Sequence, residues 1–151
     1  MQAALLVLAT LAAGALLAAQ GPILSRLAFY VGGPIQAAIV AFSIGLTALL
    51  AVCLLSGAGL PKAGGLVRMP AWVWAGGLIG TALLVLTLHA VPRIGVSLFV
   101  AAVVCGQLAG AMAYDHFGAF GLALRPVGLR DMAGLGLLLG GLALIATGPR
   151  G

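Results

Sequence analysis

Residues 71–114 read AWVWAGGLIGTALLVLTLHAVPRIGVSLFVAAVVCGQLAGAMAY, with Arg93 as the one charge in the stretch. A helix needs about 20 apolar residues to cross a hydrocarbon core roughly 30 Å thick. Two such runs lie here, residues 71–91 and 94–114, separated by Pro92-Arg93. Working outward, residues 35–55 precede them and residues 3–24 come earlier still, while residues 128–147 follow. The breaks between these runs hold Gly32-Gly33-Pro34, then Ser56-Gly57-Ala58-Gly59-Leu60-Pro61, and finally Gly118, Gly121 and Pro126. The expectation is an all-α integral membrane protein, a single five-helix transmembrane domain over residues 1–151.

Composition excludes the alternatives. Of 151 residues, 64% are hydrophobic and 6% are charged, with a mean hydropathy of +1.29. A soluble domain carries roughly 25% charged residues, so the 7 basic and 2 acidic side chains here cannot cover a water-facing surface. Disordered chains are poor in apolar residues. The cations stand singly between apolar runs, whereas nucleic-acid binding needs them clustered on one face. Cys53 and Cys105 lie inside apolar runs and do not read as a secreted disulfide framework. No CxxC, HExxH, GxxxxGK[ST] or GxSxG motif occurs, so no metal, no cofactor and no enzymatic nucleophile with its base is expected. The first run lacks a Lys or Arg before Arg26, which argues for a retained span over a signal peptide.

Aromatic side chains mark the interfaces: Trp72 and Trp74 open the third span, Tyr114 and Phe117 close the fourth, and Phe29 and Tyr30 follow the first. Pairs of small residues four apart, Gly76 with Gly80, Gly106 with Gly110, and Gly136 with Gly140, are candidate helix-packing faces. Ala37, Ala41 and Gly45 form a related ridge.

Charge counts leave the orientation open. With five spans, Lys62, Arg68, Arg125 and Arg130 share the N-terminal side, and Arg26, Arg93 and Arg150 share the other. Either the chain inserts both ways up or weak cues select one orientation. Dual insertion would let one gene supply both halves of a transporter built from inverted repeats, as an antiparallel homodimer.

Polar residues inside apolar spans are costly and mark function by default. Gln20 precedes Gly21-Pro22, so the first helix either ends there or continues to Tyr30 broken at Pro22. Gln107 and Tyr114, seven residues apart, share a helix face, where the amide serves as interhelical glue or as part of a polar path. Ser43, with these three, completes the substrate-pathway candidates, although Ser43, Thr47, Thr81 and Thr87 can each satisfy themselves on their own helix. Asp115 and His116 are the ion-coupling candidates, and the plainer alternative is a carboxylate that simply ends its span in water.

Residues 74–118 resemble the YdcZ-like family of short, five-helix drug/metabolite transporter relatives. The likeness rests on Gly76-Gly77-Leu78-Ile79-Gly80, on the proline-glycine turn before the fourth span, and on Gly106-Gln107-Leu108 followed by Asp115-His116-Phe117-Gly118. Gln20-Gly21-Pro22 and the stretch from Phe42 to Gly45 extend it over essentially the whole chain. The resemblance implies a multi-pass bacterial inner-membrane protein equivalent to half of a ten-helix transporter. It also implies pairing with itself or with a homologous five-helix chain. Family members often carry Asn shortly after the first-span Gln, where this chain has Leu24, so that residue's role does not carry over. The Glu that four-helix multidrug relatives use in their first span is absent as well.

The functional expectation is therefore a small-molecule transporter working by alternating access. The alternative is a non-transporting membrane subunit or scaffold that binds another membrane protein through its Gly-rich faces. The substrate stays open; the lipid bilayer is the surrounding partner, and no nucleic acid is expected.

Overall fold

Lipid offers a backbone no hydrogen-bonding partner, so an apolar run that enters it must satisfy every N–H and C=O internally, as a helix does. The computed structural model describes residues 2–148, which places Arg150 of the charge count outside the described residues. Its elements are α1 (Gln2–Val31), α2 (Pro34–Ser56), the short α3 (Ala63–Arg68), a 3-10 turn at Ala71–Trp74, α4 (Ala75–Ile94), α5 (Val96–Phe117), a second 3-10 turn at Ala119–Gly121, and α6 (Leu129–Thr147). No strand occurs among the described residues. Five helices are long and apolar enough to cross a membrane: Leu5–Val31, Pro34–Ser56, Ala71–Ile94, Val96–Phe117 and Leu129–Thr147.

Two boundaries differ from expectation for one reason. The first helix does not stop near Leu24 but runs through Pro22 to Val31. Likewise α4 runs through Pro92 to Ile94, and the chain breaks at Gly95, whose φ of 83° suits a residue without a Cβ. Proline removes one hydrogen bond, yet ending a helix inside an apolar run would strand several more polar groups.

The chain forms two compact units, one through Arg93 and one from Ile94 onward. In the first, Leu24 of α1, Ala37 and Ala38 of α2, and Leu84 and Leu88 of α4 make the buried cluster. Ala37, at 0% exposure, lets backbones approach, and close van der Waals contact is what holds helices together where lipid is as apolar as leucine. Gly21 serves α1 in the same way. A Cβ there would lie 3.2 Å from a Val91 methyl and 3.4 Å from the Thr87 methyl. In the second unit α5 packs on α6, and Phe99 and Cys105 of α5 are buried.

Candidate functional site

The two units hold different members of the expected set. Gln20 and Ser43 belong to the first, and Gln107, Tyr114, Asp115 and His116 to the second. Gln20 is exposed on α1, one residue before the buried Gly21. Ser43 is exposed on α2 and donates to the carbonyl of Ile39 at 2.8 Å. Thr47, Thr81 and Thr87 make the same self-satisfying bond one turn back, to Ser43, Gly77 and Leu83. Leu24, where the family pattern often has Asn, is a core residue at 7% exposure. A glutamine amide presented on an exposed helix face in lipid needs a partner from outside its own helix, and Gln107 is such a group.

The end of α5 is the one place where several expected residues meet. Gly118 takes the left-handed conformation that stops the helix, and its N–H donates to the carbonyls of Asp115, at 3.4 Å, and Tyr114. The Asp115 carbonyl also accepts the Arg125 N–H at 2.8 Å, drawing the returning loop back onto the helix end. His116 follows suit: its Nδ1 accepts the Val127 N–H at 3.2 Å. That bond fixes the tautomer, because a nitrogen that accepts must carry no proton. The next loop residue, Gly128, donates its N–H to the Asp131 carboxylate at 2.9 Å, which sets the first turn of α6. Tyr114 stacks edge-on against Phe120, with ring centroids 5.2 Å apart. Phe120 itself sits at φ 58°, a conformation that non-glycine residues adopt rarely.

Ala109, Met112, Ala113, His116 and Phe117 of α5 face Val127, Met132 and Leu135 across a shallow groove of about 230 Å³. Its lining is apolar apart from the imidazole. Among the described residues no three His, Cys, Asp or Glu side chains come together as a metal site would require.

The glycine pairs behave unlike Gly21. A Cβ added at Gly76, Gly80, Gly106, Gly136 or Gly140 would meet no heavy atom within 4 Å, and one at Gly110 would meet only the Tyr114 ring. Of the second-helix ridge, Ala37 is buried and Ala41 packs against the core cluster, while Gly45 meets nothing within 4 Å. Sequence reasoning missed Gly21 as a packing residue, and it missed Ser25, whose hydroxyl is buried. A signal for the first was present in its position beside Pro22, midway along a long apolar helix.

Five apolar spans and a nearly chargeless interior define a multi-pass helical membrane protein. Residues 5–144 match a family model described as "Putative inner membrane exporter, YdcZ". The chain belongs to that family, and the inner membrane is its place. That description is of an exporter, a class of transporter. No curated protein and no solved structure matches the chain.

Proposed function

We propose that the chain is one half of a small-molecule transporter, with two copies inserted antiparallel and an access path that opens alternately to each side. One observation carries this reading. No span has more than 11% of its most apolar stretch buried by the chain itself, and in α6 the share is 0%. Lipid can cover the leucines, but it cannot satisfy the amides of Gln20 and Gln107 on exposed faces. A second copy supplies both a polar partner and a wall for an enclosed path. The open faces at Gly76 and Gly80, and at Gly136 and Gly140, are where another backbone can come close. Transporters with inverted halves place their site between those halves near the midplane.

An odd number of spans makes the test simple. Joining two copies end to end starts the second copy on the opposite side of the membrane and so inverts it. Adding one extra transmembrane helix to the linker makes the copies parallel. Flux of a panel of small organic solutes is then measured in proteoliposomes. The direct tandem is expected to transport and the extended one to be inactive. Equal flux from both would rule out the antiparallel pair.

A further inference from the structure

The bond from the Val127 N–H leaves the His116 ring one free polar atom, and its character is fixed. An imidazole whose Nδ1 accepts is neutral and carries its proton on Nε2, which is therefore a donor. Among the described residues, the Val127 bond is the one hydrogen bond in which this ring takes part. A donor beside hydrocarbon is costly without an acceptor, so the acceptor must come from outside the chain.

The ring stands in the groove between the last turns of α5 and the start of α6. The rest of the wall is methyl, thioether and phenyl, from Ala109, Met112 and Phe117 on one side and Met132 and Leu135 on the other. Two methionines, unbranched and polarisable, adapt to a flexible apolar guest. From Ala109 to His116 the helix rises roughly 10 Å. A volume of about 230 Å³ holds roughly seven groups of methylene or water size. Seven groups spread over that length have the proportions of a single chain. Compact small molecules occupy sites of about 300–1,000 Å³. The groove is shallow, and the chain covers none of the most apolar stretch of α6, so lipid reaches it.

Depth narrows the choice further. Tyr114 and Phe117 bring the span to the interface, the level at which glycerolipids carry the ester carbonyls that join chain to headgroup. Ala109 lies two turns deeper, among hydrocarbon. We infer that the groove seats one acyl chain of an ester-linked glycerolipid, whose ester carbonyl accepts from the His116 Nε2–H. Charge at this end selects no headgroup, because Asp115 and Asp131 balance Arg125 and Arg130. The recognised group is the ester, which anionic and zwitterionic glycerolipids share. The site lies within one unit of one chain and needs neither a second copy nor alternating access, so it stands apart from the transport reading.

The test uses the full chain carrying His89→Gln, which leaves His116 as the single histidine. Its ring nitrogens are isotope-labelled, and the bilayer is phosphatidylglycerol or phosphatidylethanolamine labelled at the ester carbonyl carbon. Solid-state NMR then reads the dipolar contact between Nε2 and that carbon, a contact that passing lipid exchanges too fast to leave. A persistent contact is expected with both headgroups. Its absence, while Nδ1 still accepts from Val127, overturns the site. Contact with one headgroup alone overturns recognition of the ester. Met132→Trp fills the groove and is expected to abolish the contact, whereas contact that survives this change overturns the groove as the seat. In diether lipid, which has no ester carbonyl, the Nε2 resonance is expected to move; an identical resonance in both lipids overturns the inference. A mixed sample of carbonyl-labelled and ring-labelled chains covers the remaining occupant. Contact between copies at Nε2 would make the groove a protein interface and overturn the lipid.

Discussion

At Gln107 the cost of an amide in lipid and the value of a site are separable by one substitution. Gln107→Leu keeps the volume and deletes the hydrogen bond, and interhelical polar bonds in membranes average about 0.6 kcal/mol. The expected outcome is a variant that melts close to the parent but loses transport. A stable, fully active variant would make Gln107 mere glue. Asp115→Asn retains shape and hydrogen bonding without the charge. If the carboxylate couples flux to protons, a pH gradient no longer drives uptake while passive exchange persists, and unchanged gradient-driven uptake excludes it. The His116–Val127 bond has its own readout. The His116 Nδ1 is the acceptor for the Val127 N–H, so removing the ring frees that donor. Hydrogen exchange at Val127, corrected for the intrinsic rate, is expected to lose protection in His116→Ala. Asp115 and His116 were legible as a pair because they are sequence neighbours at a helix end. Their bonds to Arg125 and Val127 were not, since those depend on the path of the returning loop.

The helices themselves were legible because hydropathy reports the medium directly, and their ends were less so. Pro22 and Pro92 look like stops by the rules of water, where a broken backbone is rescued by solvent. In lipid the helix continues past both, and the break falls instead at Gly95. Small residues posed the converse difficulty: a four-residue spacing reveals a smooth face but not what covers it. Ala37 and Gly21 are pressed against neighbours, whereas Gly136 and Gly140 meet nothing within 4 Å. The contrast is testable by thermal melting of the chain in detergent. Ala37→Leu forces side chain into a closed contact and is expected to cost about 1–3 kcal/mol. At Gly136 a Cβ meets no heavy atom within 4 Å, so Gly136→Leu is expected to leave the melting temperature nearly unchanged while weakening any association through α6.

For the whole chain, the near-even division of basic residues predicts mixed insertion. Reporters fused to the C-terminus should give signal on both sides of the membrane, and added Lys residues in the α2–α4 connection should collapse it to one. A one-sided signal from the parent chain would end the dual-insertion reading and leave the family's exporter role untouched. A different consequence follows from the unequal spans. Leu5–Val31 has 27 residues and Leu129–Thr147 has 19, lengths of about 40 Å and about 28 Å against a hydrocarbon core near 30 Å. Upright, the two helices do not match one bilayer thickness, so α1 tilts or carries its Arg26–Tyr30 end into the headgroups, and each ångström of mismatch left over costs a fraction of a kcal/mol. Acyl-chain length thus becomes a variable to which this chain is tuned: thick bilayers should fray the ends of α6, and thin ones should leave the ends of α1 stranded among headgroups.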